Sequence, residues 1–387
     1  MSLSKWVFEV VAGAALLAGA FGATVGAQNP PAHGMRWSKA APFPQPEEEL
    51  YGSVINGKMY VVGGFGYNAN VGQPAPEIPG RGGAGAGGRG GGAAVGGGVP
   101  RVPPAFIYEY DPGPDKWTKK KTIPVPVHHQ AQAVYNGKLY IFGGCNTGIA
   151  GAAAVTNAWE YDPVADSYRA LAPLPGKRCA AQAEQVGGKV YVIGGLEPFE
   201  NGEGTRVTGR NEMYDPATNT WTSRSAMPTT RNHAFSGVVN GKIYVIGGRL
   251  AAGTVAASSP TDVVEEYDPT TNQWGMVKEK MPTPRSGGGA ATYNGKIYVA
   301  GGEITNRQLS AAFRALEAYD PATNTWEVMP TMPSARHGVA AGFIGNKLHL
   351  VSGKQEGGGA PDMAANSTHP FATEAHDVLE IPAAGTQ

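Results

Sequence analysis

Short apolar runs closed by two glycines recur along the chain. They read Tyr60-Val61-Val62-Gly63-Gly64, Tyr140-Ile141-Phe142-Gly143-Gly144, Tyr191-Val192-Ile193-Gly194-Gly195, Tyr244-Val245-Ile246-Gly247-Gly248 and Tyr298-Val299-Ala300-Gly301-Gly302, with His349-Leu350-Val351-Ser352-Gly353 as a sixth, degenerate copy. Ahead of each run stands a polar pair and a lysine: Asn56-Gly57-Lys58, Asn136-Gly137-Lys138, Gly187-Gly188-Lys189, Asn240-Gly241-Lys242, Asn294-Gly295-Lys296 and Gly345-Asn346-Lys347. Such pairs between apolar runs predict tight hairpins, because a type I′ turn needs φ > 0 at both central residues. Each copy therefore begins with two antiparallel strands, the second ending in Gly-Gly.

A second mark follows, Tyr-Asp-Pro at Tyr110, Tyr161, Tyr214, Tyr267 and Tyr319, and seven residues after each Tyr comes an aromatic, at Trp117, Tyr168, Trp221, Trp274 and Trp326. Asp accepts hydrogen bonds from a turn backbone, and Pro presets φ. The fixed interval thus predicts a third and a fourth strand, with Tyr and Trp on neighbours. A repeat of this length, six times over, is the signature of a blade.

Gly-Gly, Tyr-Asp-Pro and Trp, with Met-Pro-x-x-Arg before Arg231, Arg285 and Arg336, resemble the Kelch repeat over about Arg36 to Ile381. The resemblance implies an all-β, six-bladed propeller with four antiparallel strands per blade. The sixth unit has no Trp after its third strand, at His376 to Ile381, so Met35-Arg36-Trp37-Ser38 is expected to supply its fourth strand and close the ring. Residues 28–34 then form a linker and 35–387 a single propeller.

The period breaks once. Gly63 and Gly143 are 80 residues apart, against 51, 53 and 54 for the next three intervals, and the excess lies at 65–104. Twelve of the nineteen residues from Gly80 to Gly98 are glycine, so this insert in the first blade is expected to be a flexible loop. Its two isolated arginines, Arg81 and Arg89, make a poor RNA-binding segment.

Composition narrows the function. Thirty-one acidic residues balance thirty-one basic ones, so no global field draws in nucleic acid. Lys5, the apolar stretch Val7 to Phe21 and Val25-Gly26-Ala27 read as a cleaved export signal over 1–27, which predicts a periplasmic or extracellular protein without a membrane span. Export leaves Cys145 and Cys179 open either to pair or to stay as thiols. It would also give the sequon Asn366-Ser367-Thr368 meaning only in a glycosylating pathway.

Candidate site residues come from counting sixteen back from each Gly-Gly or its equivalent, which gives Glu47, Val127, Arg178, Arg231, Arg285 and Arg336. By resemblance to Kelch adaptors, Arg178, Arg231, Arg285, Ser286 and Arg336 bind an anionic protein or glycan ligand on this rim, with His128, His129, His233, His337 and Glu47 beside them. The same arginine, as a consensus residue, equally suits a pairing with a carboxylate or carbonyl of the adjacent blade. His128, His233 and His337 lie near one rim on alternate blades. Ligation needs nitrogens ~2.0–2.1 Å from one ion, so no metal and no cofactor is expected. Cys179 matches the place of the cross-linked Cys of galactose oxidase, but the partner place holds Asn232, which argues against copper-radical chemistry. The primary expectation is a binding module. The alternative is a carbohydrate-active enzyme resembling the exported Kelch sialic-acid mutarotase, with Glu47, Glu48 and Glu49 as candidate carboxylates.

Overall fold

In a computed structural model, each Gly-Gly unit forms one four-stranded antiparallel sheet, described over residues 35–65, 103–146, 153–201, 204–251, 259–305, 309–357 and 372–382. Blade 1 comprises Leu50–Ile55, Lys58–Gly63, Phe106–Asp111 and Lys116–Lys119, and blade 2 Ala131–Tyr135, Lys138–Phe142, Ala158–Asp162 and Ser167–Ala170. Blade 3 comprises Gln182–Val186, Lys189–Ile193, Asn211–Asp215 and Thr220–Arg224, and blade 4 Phe235–Val239, Lys242–Ile246, Val264–Asp268 and Gln273–Trp274. Blade 5 is Gly289–Tyr293, Lys296–Ala300, Leu316–Asp320 and Thr325–Val328. Blade 6 takes Ala340–Ile344, Lys347–Val351 and His376–Glu380, and its fourth strand is Trp37–Lys39, paired antiparallel through Ser38 and Val378. The expected ring closure is therefore present. The expectations at 1–34, in most of the glycine insert (66–102) and at Asn366 fall outside the described residues.

The repeated marks act as the sequence suggested. Asn56 and Gly57 both have φ > 0, at 50° and 76°, as a type I′ hairpin requires. Tyr214 and Trp221 are direct cross-strand partners, as are their equivalents in the other four blades that carry the mark. Gly302 sits at φ 100°, and a Cβ there would come within 2.7 Å of the Ser286 carbonyl. Its N–H donates to the Arg336 carbonyl of the next blade at 2.9 Å. Gly-Gly thus lets one blade's backbone touch its neighbour.

Burial is arranged between sheets. Phe142, Ala158 and Tyr140 of blade 2 pack with Ala183, Val192 and Tyr214 of blade 3, and each adjoining pair of blades has an equivalent apolar layer. No single blade could bury its own faces. Two short hairpins, Leu196–Pro198 with Thr205–Val207 and Glu303–Thr305 with Ser310–Ala312, extend blades 3 and 5 after Gly-Gly. Among the described residues no helix is long and apolar enough to cross a membrane.

Candidate functional site

Three consecutive registers precede the first strand of every blade, and they have separate jobs. The first holds Arg178, Arg231, Arg285 and Arg336, all at most 1% exposed. Each points into its own blade and pairs with a carboxylate on the third strand: Glu212, Glu265, Glu317 and Asp377 respectively. Backbone carbonyls take further guanidinium protons, as where Arg285 donates to Val299 O at 2.9 Å and to Gly301 O at 2.7 Å. In blades 1 and 2, where Glu47 and Val127 replace the arginine, the matching third-strand residues are Tyr108 and Trp159. Arginine and carboxylate thus occur together or not at all. The expected arginine rim is a set of buried internal braces, each with one bond to its carboxylate and others to backbone carbonyls, and the partner lies in the same blade rather than the adjacent one; Nε of Arg178, Arg231 and Arg336 has no hydrogen-bond partner among the described residues. Glu47 is likewise inside. Burial, reinforced by Glu48, raises its carboxyl to about 8 against a smaller lowering by Gln45.

The next two registers converge at the axis. Glu49, His129, Ala180, His233, Gly287 and Gly338 occupy the same place in the six blades, and all have left-handed φ between 50° and 62°. Their backbones are joined around the ring: Ala180 N–H donates to His129 O at 2.8 Å, His233 to Ala180 at 3.1 Å, Gly287 to His233 at 2.9 Å and Gly338 to Gly287 at 2.6 Å. Left-handed backbone costs a non-glycine residue roughly 1–2 kcal/mol; His129 and His233 are held there by these bonds, and next to Glu49 the Leu50 N–H donates to Gly338 O at 3.0 Å.

Around these three lie His337 and Glu48 from the preceding register, and Arg249, Glu303 and Lys354 from just after Gly-Gly. Isolated bridges join the two sets, Asn232 to Arg249, Ser286 to Glu303 and His337 to Lys354. His129 Nε2 is 3.3 Å from Glu49 Oε2, and His337 Nε2 is 3.1 Å from Glu48 Oε2 and 3.8 Å from Glu49 Oε1. Arg249 pairs with Glu303 and donates through Nε to Ser286 Oγ at 2.8 Å. Burial would raise the Glu49 carboxyl, but the imidazoles of His129, His233 and His337 outweigh it and hold it well below the usual range. Burial and Arg249 keep His233 neutral.

The structure therefore assembles His129, His233 and His337 with Glu49, whereas His128 faces Phe65 at a ring distance of 4.5 Å. Ligand atoms of Glu49, His129 and His233 lie within 4.8 Å of one another, and those of Glu49, Glu303 and His337 do the same. The sequence frame already held Glu49, His129 and His233 fourteen residues before Gly-Gly, two positions past the arginine register, and His337 one position earlier in the register. What hid the cluster was the run Glu47-Glu48-Glu49, which reads as a solvated link. Beside the cluster, Cys145 and Cys179 form a disulfide between blades 2 and 3, so Cys179 is committed to Cys145.

Next to the cluster the axial channel holds a partly open cavity of about 390 Å³ to which Glu49 and His233 contribute. Gly52, Ala133, Ala183 and Gly289 are among its lining, and Ser53, Gln132, Gln182, Glu184 and Ser236 make it polar. Ser236 Oγ donates to Glu184 Oε1 at 2.6 Å, and Gln132 Nε2 donates to Ser53 Oγ at 2.7 Å. Gln132 Oε1 is shielded from solvent and has no hydrogen-bond partner among the described residues. Burial raises the Glu184 carboxyl to about 7. Nothing in the repeat marks singled out Glu184.

Six four-stranded sheets about an axial channel, joined through Gly-Gly, define a six-bladed β-propeller of repeat type. The family described as the KLHDC2/KLHL20/DRC7 Kelch-repeats domain matches residues 172–353 and the Kelch motif matches 131–175; the chain is a Kelch-repeat protein. Kelch-like protein terF of Aspergillus terreus is 31% identical over 64% of this chain and 54% of its own length. Beta-scruin of Limulus polyphemus is 26% identical over 64% of this chain and 27% of its own, and human Kelch repeat and BTB domain-containing protein 12 is 29% identical over 58% and 37%. The chain thus spans between about a quarter and a half of these relatives. The solved structure of YjhT superposes with a TM-score of 0.63 at 17% identity, over 90% of this chain and 99% of that one, a likeness of fold.

Proposed function

We propose that the protein is an exported binding module that takes a hydroxyl-rich ligand of sugar size into its axial cavity. The observation that carries this reading is the partly open polar space of about 390 Å³ in the channel, with Gln132 Oε1 buried and, among the described residues, unpartnered beside Ser53. A buried acceptor without a donor costs roughly 1–3 kcal/mol, which a ligand hydroxyl would recover. With the arginines engaged inside their blades, the ligand need not be anionic. Ligand-observed NMR against a panel of mono- and disaccharides tests this. Binding is expected for at least one sugar and is expected to weaken in Gln132→Leu; sugars that bind equally well to this variant, or no binding across the panel, would remove the cavity as the site.

A second reading, a sugar mutarotase or epimerase, is favoured by Glu184 alone. A carboxyl raised to about 7 is poised to give and take a proton at neutral pH. Anomer equilibration followed by NMR should then be faster than in buffer, rise or fall through an inflection near 7, and drop in Glu184→Gln. A rate equal to buffer discards it.

Export rests on residues 1–27 as a leader, and the Cys145–Cys179 disulfide agrees with an oxidising compartment. Mass spectrometry of the secreted chain should find Gln28 at its start.

A further inference from the structure

We propose that Glu49, His129 and His233, with His337 as a fourth donor, bind a divalent first-row transition-metal ion of the zinc class at one end of the axial channel. This goes beyond the ligand reading, because it concerns the cluster next to the cavity and not the polar residues along it.

Four observations carry it. The first is convergence. A metal held at ~2.0–2.2 Å by each donor places the donors roughly 3.3–3.5 Å apart. His129 Nε2 and Glu49 Oε2 are already at 3.3 Å, and with His233 the donor atoms lie within 4.8 Å, so small side-chain rotations close the set.

The second is the outer ring of partners. His233 meets Asn232 Oδ1 through Nδ1, His337 meets the Glu356 carbonyl through Nδ1, and His129 meets His128 through Nδ1. The oxygen acceptors place the protons of His233 and His337 on Nδ1 and leave the Nε2 lone pairs for a metal, as outer partners of ligating imidazoles do. His337 Nε2 is buried and forms no hydrogen bond among the described residues, although Glu48 Oε2 lies 3.1 Å away.

The third is charge. Glu48, Glu49 and Glu303 meet two permanent cations, of which Arg249 is within ion-pair distance of Glu303 and Lys354 is 4.0 Å from Glu48. No lysine or arginine is within ion-pair distance of Glu49 among the described residues. A buried carboxylate in that position calls for a cation.

The fourth is backbone. Of the six equivalent left-handed positions, three carry glycine or alanine, and the other three carry Glu49, His129 and His233. Glu49, His129 and His233, the three with long side chains, are the ones whose donor atoms meet at one point. Two imidazoles and a carboxylate suit Zn²⁺ and its neighbours better than Mg²⁺ or Ca²⁺, which prefer oxygen alone.

The experiment uses the untagged full chain, stripped by chelator and reloaded with Zn²⁺ or Co²⁺. Expected are one Zn²⁺ per chain retained on desalting, visible d–d bands on adding Co²⁺, and X-ray absorption of the Zn²⁺ form with two or three imidazole ligands. His129→Ala with His233→Ala should weaken Zn²⁺ by at least ~10–100-fold, the effect that even an outer partner's loss produces, with the far-ultraviolet spectrum unchanged. Substoichiometric retention by the wild type, or a bound ion without imidazole scattering, overturns the proposal, and both can be read without any variant. Undiminished binding in the folded double variant overturns it as well. The sugar-binding reading is tested on apo protein, so either idea can fail alone.

Discussion

Arg285 illustrates what single residues do here. It is fully buried, its guanidinium is shared between Glu317 and three carbonyls, and its burial lowers its own pKa against the pull of that carboxylate. Removing one partner of such a pair costs about 3–5 kcal/mol, because a charge is left alone, whereas replacing both by apolar groups is often near neutral. Blades 1 and 2 already lack the pair, with Val127 and Trp159 in one of them. Arg285→Met should therefore lower the melting temperature strongly, and Arg285→Met with Glu317→Leu should recover most of the loss; a double variant as unstable as the single would refute the bracing role. Glu47 gives a prediction with a sign. Burial raises its folded pKa to about 8, above the ordinary carboxyl value of about 4.5, so folding favours the protonated form. The stability it allows is fully present at low pH and is lost as pH rises through about 8. Glu47→Gln should thus gain on the wild type between about pH 4.5 and 8 and keep a constant advantage above, as measured by urea denaturation at several pH values.

At the scale of elements, the turn between the third and fourth strands also fastens the preceding blade. Asn272 is left-handed at φ 57°, and its Oδ1 accepts from Tyr267 OH at 2.8 Å and from Ser225 N of blade 4's neighbour at 2.8 Å. Trp274 Nε1 donates to Ser225 O at 2.9 Å. Asn272→Ala loses two partly buried bonds and strains the turn, for a cost of roughly 2–3 kcal/mol, while Asn272→Gly keeps the backbone and should lose about 1 kcal/mol less in thermal denaturation. This layer was legible from the sequence, because the Tyr-Asp-Pro mark and the aromatic seven residues on fix the pairing of two adjacent strands. The site was less legible. His129, His233 and His337 were visible as rim histidines, yet their meeting with Glu49 depends on a ring of inter-blade hydrogen bonds. No local pattern encodes that ring. Arg249 and Glu303 lie after Gly-Gly in stretches without a repeated mark, and Glu184 differs from its neighbours only by facing the channel.

For the whole molecule, closure is made twice, at the perimeter and at the axis. At the perimeter, Trp37–Lys39 completes blade 6, and Ala41 then docks on blade 1 through its N–H to Asp115 Oδ1 at 2.8 Å and its carbonyl from Trp117 Nε1 at 2.9 Å. Lys121, Ala172 and Ser225 make the same joint between other blades. Starting the chain at Ala40 should expose the edge of His376–Glu380, lower the melting temperature and promote association, which light scattering on heating would reveal. An unchanged monomer would mean that the axial ring suffices.

The separation between the left-handed position and Gly-Gly is fourteen residues in all six copies, while whole repeats run from 51 to 80. That stretch works as a ruler with six identical graduations. Insertions of any length are accommodated beyond Gly-Gly, where the chain has already left the circle. A single added residue within the ruler would displace one blade's backbone from the ring and move every donor its neighbours hold in place. The protein can vary its loops freely and still bring six backbone positions to one circle, three of which carry Glu49, His129 and His233.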